Sequence, residues 1–196
     1  MPTRDRKTAL PARDPRRDFT SALDAIARAI VDDTPDLAAL DARRVLFVPL
    51  SAHGTIAASV RGLDDVSKSV RVDGSTRTHE VGLRPPFFLG ATASSRLTTI
   101  VHELLHIDPL GGLLDERRHA RRPHAAHEAH ARALTTRALS RLAPELLMPL
   151  GHEGEVLMRA WRVRPSETTR ARAFTTRDLY WQPVSLETPR ASRTSW

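Results

Sequence analysis

The chain has 196 residues, of which 40% are hydrophobic, and this is enough to bury a core in one domain with tails. It contains no cysteine, which excludes disulfides, thiolate metal sites and a cysteine nucleophile. The formal net charge is +7, and only Lys7 and Lys68 among the 30 basic residues are lysine. The charge indicates either a nucleic-acid or other anionic partner, or an arginine-rich composition without a binding role.

The two ends of the chain differ from its centre. Residues 1–16 are rich in proline and charge, which predicts a disordered basic tail, and residues 184–196 are expected to form a second loose tail. A single domain is expected over residues 17–183. The first residues lack the apolar run of a signal peptide, and no stretch reaches the roughly 18 apolar residues of a membrane span. We therefore expect a cytoplasmic protein with no membrane partner.

Hydrophobic periodicity predicts three elements in the first third of the chain: a helix at 19–32, a strand at 44–50, and a strand or short helix at 55–63. Two alternating runs around Asp73 and Gly74 predict a β-hairpin over 68–83. Pro85 and Pro86 disfavour a helix, so the residues that follow the hairpin are expected to be extended.

The second half of the chain is predicted to be richer in helix. One helix is expected over 94–107 with Ser94 or Ser95 as its N-cap, and another from Pro123 to about Leu142. The remaining elements are a break at 143–154, a strand or helix at 155–165 and a final strand at 177–184. Strands followed by helices predict an α+β fold.

The helix predicted over 94–107 is apolar nearly all round, which is typical of an interior helix. One polar stripe interrupts it, because Thr99, His102, Glu103 and His106 lie at i, i+3, i+4 and i+7. Burying a carboxylate and two imidazoles is unfavourable unless something pairs with them. A divalent cation would do so, since two histidines one turn apart reach the same Zn²⁺ and the glutamate between them lies beside it.

The segment "HELLH" matches the motif HExxH, and by this motif the chain resembles the zincin metallopeptidases. The resemblance covers about 81–149 and is specific only at the motif. It implies a zincin-like α+β fold, a Zn²⁺ cofactor bound by His102 and His106, and a peptide or protein substrate. It also implies that Glu103 is the general base for a water that zinc activates.

A catalytic zinc site needs a third protein ligand, and several residues after the motif are candidates. Some zincins use a glutamate on the next helix, which Glu128 fits. Others, including SprT-like proteins and related small bacterial and archaeal metallopeptidases, use a histidine near the start of that helix. His124 fits this pattern best and His119 less well. The apolar stripe of the predicted helix instead points His127 inward most directly. The expected third ligand is His124, with Glu128 and His127 as the main alternatives.

Three further features bear on the expected site. The run "APELLMP" at 143–149 is similar to a segment of the ImmA/IrrE-type metallopeptidases, although its distance from Glu128 is longer than in that family. The run "RPPFFL" is a candidate for the edge strand beside which zincins lay a peptide. The candidate hydrogen-bond donors to an oxyanion are His152, Tyr180 and the arginines. Asp108 is a candidate acceptor for the second ring N–H of a histidine ligand.

The sequence therefore predicts a zinc-dependent metallopeptidase that hydrolyses peptide bonds. Two alternatives stay open. In one, the protein is associated with nucleic acid and its metal site is structural, closed by four protein ligands rather than three. In the other, the protein is a catalytically inactive zincin-like binding protein that holds no metal.

Overall fold

A computed structural model describes residues 17–51, 54–108, 112–113 and 124–189. Within them the architecture is mixed α+β, as the order of elements predicted. The helices are α1 (Phe19–Asp33), α2 (Pro85–Phe88), α3 (Ala93–Leu105), α4 (His124–Arg141) and α5 (Pro144–Leu147). The strands are β1 (Val45–Pro49), β2 (Ala58–Gly62), β3 (Ser69–Val72), β4 (Ser75–Thr76), β5 (His79–Leu83), β6 (Ile107–Asp108), β7 (Gly112–Leu113), β8 (Gly154–Trp161), β9 (Ala173–Thr175) and β10 (Leu179–Leu186).

A three-stranded sheet of order β1-β5-β2 forms the centre of the structure. Strand β5 is parallel to β1 and antiparallel to β2. Strand β1 is buried on both faces, since Val45 and Phe47 belong to one hydrophobic cluster while Leu46 and Val48 belong to another. Such strands read as a continuous apolar run, which is why "VLFV" was recognisable in the sequence.

Strands β8 and β10 form an antiparallel ribbon, and β8 lies against β1. The ribbon corrects the expected domain boundary at residue 183, because β10 continues to Leu186, whose side chain is fully buried. Val184 and Leu186 pack on the main hydrophobic cluster, so residues up to 186 belong to the folded unit rather than to a tail. Pro183 lies within β10, and an outer strand of a sheet tolerates proline.

The hairpin predicted around Asp73 and Gly74 is confirmed only at its turn. Both residues have positive φ, 50° and 78°, and they join β3 to the short strand β4. The second alternating run does not continue the hairpin. It forms the central strand β5 instead, because Val81 and Leu83 are completely buried and pair with β1 and β2. Alternation alone does not specify which strand will be the partner.

The segment expected to be extended after β5 is a short helix, α2, which begins at Pro85. Proline is tolerated in the first turn of a helix, where its missing N–H has no intrahelical partner. The helix buries Phe87 and Phe88 in the main hydrophobic cluster. It also removes "RPPFFL" as a candidate edge strand.

Helix α3 is fixed at its start by a side-chain cap and a buried arginine. The cap is Thr92 rather than Ser94 or Ser95, since its hydroxyl oxygen accepts a hydrogen bond from the N–H of Ser95 at 3.1 Å. Arg96 is fully buried and donates hydrogen bonds to four backbone carbonyls, those of Phe87, Phe88, Leu150 and Glu187. These bonds tie the first turn of α3 to α2, to the segment after α5 and to the end of β10.

The remaining predictions concern the two ends of the chain, the segments around 143–165 and membrane-spanning helices. Residues 1–16 and 190–196 lie outside the described residues, so their expected disorder stays a prediction. The expected break at 143–154 contains α5 and a 3-10 turn, and the ambiguous segment at 155–165 is largely the strand β8. Among the helices of the described residues, none has the length and apolar character needed to cross a membrane.

Candidate metal centre

The last turn of α3 carries the first two histidines. The helix buries Leu97, Ile100, Val101 and Leu104, and this orientation leaves His102 and His106 half-buried at its C-terminal end. His106 is the C-cap, but its backbone is still helical (φ −79°, ψ −12°), so the spacing of one turn between the two imidazoles is kept. Their Nε2 atoms lie 3.0 Å apart.

The third histidine of the cluster is His127, on α4. Helix α4 packs against α3, with Ala131 and Ala138 completely or almost completely buried on its inner side. Small residues at these positions let the two helices approach closely. His127, one turn before Ala131, is consequently buried next to the histidines of α3, with only 9% of its surface exposed.

The three imidazoles form a nearly equilateral triangle. The ring centroids are separated by 4.8 Å for His102 and His106, 4.6 Å for His102 and His127, and 4.8 Å for His106 and His127. One nitrogen from each ring lies within 4.8 Å of one nitrogen from each of the others. The rings therefore converge on a common point instead of stacking.

This donor set fits a zinc ion. Nitrogens bonded tetrahedrally to zinc at about 2.0–2.1 Å are about 3.3 Å from one another, close to the 3.0 Å between the Nε2 atoms of His102 and His106. Imidazole binds a metal through the lone pair of a deprotonated ring nitrogen, and this spacing would let both Nε2 atoms face one ion. Catalytic zinc sites have three protein ligands and leave the fourth coordination position to a small molecule. Three histidines would supply neutral nitrogen ligands of this kind.

Glu103 lies beside the histidines but is more deeply buried, with 6% of its surface exposed. Burial raises the pKa of its carboxyl group from 4.5 to about 7, while the charge of Arg84 and hydrogen bonding from the backbone of Val60 act in the opposite direction. A carboxyl group with a pKa near neutrality accepts and releases a proton readily at physiological pH.

The candidates for a third ligand are separated by the packing of α4. Glu128 is exposed to solvent on one side and forms an ion pair with Arg132 at 2.5 Å. His124, the expected third ligand, is the first residue of α4, but its side chain lies outside the described part of the structure, as does the whole of His119. His127 is the candidate that the described residues bring to His102 and His106.

The expected oxyanion donors lie in different places. His152 follows a turn that packs against Ala93, nine residues before His102, which is about 13 Å along the helix axis. Tyr180 is on β10, where the guanidinium of Arg162 covers its ring at 5.9 Å. Arg84 is the arginine whose charge acts on Glu103. Asp108 is half-buried in β6, and its role as a partner of a ligand stays a prediction.

No protein-family model matches the chain, and no curated protein and no solved structure matches it either.

Proposed function

We propose that the protein is a zinc-dependent metallopeptidase of zincin-like fold. The observation that carries the proposal is the convergence of His102, His106 and His127 next to the buried carboxyl group of Glu103. Two of these histidines and the glutamate come from the HExxH motif, and the third comes from the helix that follows it. A structural zinc site has four protein ligands, whereas the described residues bring three together here, and this number favours catalysis.

The proposed ligand set is His102, His106 and His127, with His127 in the role that the sequence pattern gave to His124. The support for His127 is its burial and its distances to the other two rings. Strand β2, one of the two outer strands of the central sheet, packs against α3.

The chemistry follows from the residues around the centre. Zinc, when bound, supplies a Lewis acid that lowers the pKa of water and polarises a carbonyl group. Glu103 takes a proton from the attacking water and then delivers it to the leaving amine, which is a cycle suited to a carboxyl group with a pKa of about 7. The apolar side chains of α3 on either side of the motif exclude bulk water from the base.

The proposal is tested by cleavage of casein and of a fluorogenic peptide library by zinc-loaded wild type and by the Glu103→Gln variant. Glutamine keeps the size of the side chain but accepts no proton, so we expect one zinc per chain in the variant and hydrolysis reduced by about 10²–10⁴-fold. Glu128→Gln is the matched control, since Glu128 lies on the solvent side of α4, and it is expected to keep full activity. Full activity of Glu103→Gln, or no cleavage by zinc-loaded wild type, would contradict the proposal.

A further inference from the structure

Arg84 is a partly buried cation at the edge of the proposed centre. It directly follows β5, and its backbone N–H donates to the carbonyl of Ala57 at 2.9 Å. Its Nη2 is 3.5 Å from the hydroxyl of Ser59 on β2, and its Nη1 would lie 3.9 Å from a Cβ placed on Gly54. The guanidinium is thus held against the start of β2, the strand beside α3.

The guanidinium of Arg84 has donors that the described residues leave without an acceptor. Its only side-chain hydrogen bond among them is the long contact with Ser59, and its Nε is buried and makes none. No described carboxylate lies within 4.0 Å of it. A buried N–H without an acceptor is unfavourable, so a fixed donor of this kind is suited to a ligand that supplies an acceptor.

Other buried or partly buried arginines among the described residues donate to backbone carbonyls or carboxylates. Arg61, on β2, donates two hydrogen bonds to the carboxylate of Glu80 and one to the carbonyl of Pro165. Arg96 donates to four backbone carbonyls.

Arg77 and Arg137 also leave Nε without a hydrogen-bond partner among the described residues, but each donates to a backbone carbonyl and pairs with a carboxylate. Arg84 differs from all of these residues because the described structure gives its guanidinium neither a carbonyl nor a carboxylate acceptor.

The position of Arg84 next to the proposed base identifies the kind of acceptor. Its guanidinium contacts Ser59 on β2, and the backbone of the next residue, Val60, hydrogen-bonds to the carboxyl group of Glu103 on α3, so the two side chains lie at the same part of the packing between β2 and α3. A guanidinium binds anionic oxygens through short, charge-assisted hydrogen bonds. We propose that Arg84 is a substrate-binding residue that donates hydrogen bonds to an anionic oxygen of the substrate next to Glu103.

This inference rests on the proposed peptidase function, and it admits two sources of the anionic oxygen. The first is the tetrahedral oxyanion, which forms when the water oxygen bonds to the carbonyl carbon and the π electrons of the C=O bond move onto its oxygen. The second is a carboxylate already present in the substrate, at its C-terminus or on an acidic side chain. Both call for the same donor chemistry.

The binding test uses inorganic phosphate as a tetrahedral anion and the Co²⁺-loaded protein, whose visible absorption reports ligands of the metal. We compare wild type with Arg84→Met and Arg84→Lys, and with Arg71→Met, which makes the same chemical change at an exposed position on β3. The expected result is a phosphate Kd raised at least tenfold by Arg84→Met, raised less by Arg84→Lys and unchanged by Arg71→Met. Imidazole, a neutral ligand, is expected to bind all four proteins equally.

The outcomes separate the inference from the function on which it rests. If Co²⁺ and Zn²⁺ bind and the phosphate Kd is the same in wild type, Arg84→Met and Arg84→Lys, the inference is wrong while the metal centre stands. If wild type binds neither metal, the proposed function fails and the inference fails with it. A parallel loss of phosphate and imidazole binding in both Arg84 variants would indicate a collapsed site and would also overturn the inference.

Kinetics distinguish the two sources of the anionic oxygen. If Arg84 stabilises the oxyanion, Arg84→Met lowers kcat equally for a peptide with a free C-terminus and for its C-terminal amide. If Arg84 holds a terminal carboxylate, the variant raises KM for the free acid and leaves the amide unaffected. A variant with unchanged kcat and KM on neutral and acidic peptides alike would contradict both.

Discussion

At the scale of single residues, the candidate centre combines four groups that are unfavourable to bury without a metal. His127 and Glu103 are almost fully buried, and His102 and His106 are half-buried around them. The carboxyl group of Glu103 shows the penalty directly, because burial raises its pKa to about 7. This penalty should be measurable as a loss of stability in the metal-free protein.

We therefore predict that Glu103→Gln stabilises the chelator-treated protein at high pH. The pKa of Glu103 is about 7 in the folded state against 4.5 unfolded, so the folded protein binds the proton more tightly and wild-type stability falls as pH rises from about 4.5 through 7. Glutamine does not titrate. The variant should be more stable than wild type by up to about 3 kcal/mol at pH 8 and nearly equal to it at pH 4.5.

The measurement is urea unfolding of both metal-free proteins at pH 4.5 and pH 8. Arg84 and the three histidines are the same in both proteins, so the difference between the two stabilities reports mainly on the side chain at position 103. Equal stability of the two proteins at pH 8 would show that the carboxyl group of Glu103 is solvated, in conflict with its burial.

At the scale of elements, the centre depends on how α3 is held. Its C-terminal turn carries the motif, and its first turn is fixed by Arg96, whose hydrogen bonds reach α2, the segment after α5 and the end of β10. Because a helix is nearly rigid over its 13 residues, fixing one end fixes the position of the histidines at the other.

We predict that Arg96→Met destabilises the protein by about 2–4 kcal/mol, since methionine fills the space but removes the donor of the Phe87 and Leu150 carbonyls. The carbonyls of Phe88 and Glu187 lose one of two hydrogen bonds and keep a backbone N–H partner. Thermal or urea unfolding measures the loss of stability.

Arg71→Met removes an exposed guanidinium from β3 and is expected to change stability by no more than about 0.5 kcal/mol. Similar small effects of both substitutions would contradict the role assigned to Arg96.

The elements also show what the sequence could and could not predict. The strand "VLFV" was predicted because it is a continuous apolar run, and the helices α1, α3 and α4 because their apolar residues repeat at helical spacing. Helix α2 was missed because two prolines indicate a break unless they occupy the first turn of a helix. The partner of β5 was predicted wrongly because alternation gives the faces of a strand and not its neighbour.

The candidate site was predictable to the extent that it is local. His102, Glu103 and His106 lie within one turn of one helix, and their geometry follows from helical spacing alone. The position of His127 depends on how closely α4 approaches α3. Small residues such as Ala131 permit this close approach, but no sequence motif encodes it. The proximity of Arg84 to Glu103 depends on the pairing of β5 with β2 and on the packing of β2 beside α3.

At the scale of the whole molecule, the proposed centre links two successive helices that are joined by a long connecting segment. His102 and His106 are on α3 and His127 is on α4, with residues 109–111 and 114–123 between them outside the described part of the structure. A ligand that binds the folded state alone stabilises it in proportion to its affinity and concentration. A metal bound by both helices should therefore contribute to global stability.

We predict that removing the metal with a chelator lowers the Tm by about 5–10 °C. At a free metal concentration a hundred times Kd, binding stabilises the folded state by about 2.7 kcal/mol, and this free energy corresponds to a Tm shift of that size. Differential scanning calorimetry with and without added zinc measures the shift. His127→Ala should have a Tm that no longer responds to zinc. If the Tm of wild type is the same with zinc and with chelator, a metal bridge between α3 and α4 is contradicted.

The claim on which the other conclusions depend is that His102, His106 and His127 bind one zinc ion. Elemental mass spectrometry of the purified protein tests it most directly, on wild type and on the His127→Ala, His124→Ala and His130→Ala variants. His130 is the matched control, because it lies on the same helix but its Nε2 is 2.9 Å from the carboxylate of Asp36. We predict about one zinc per chain in wild type, His124→Ala and His130→Ala, and none in His127→Ala. Zinc retained by His127→Ala and lost from His124→Ala, or no zinc taken up by wild type on reconstitution, would contradict the proposed centre.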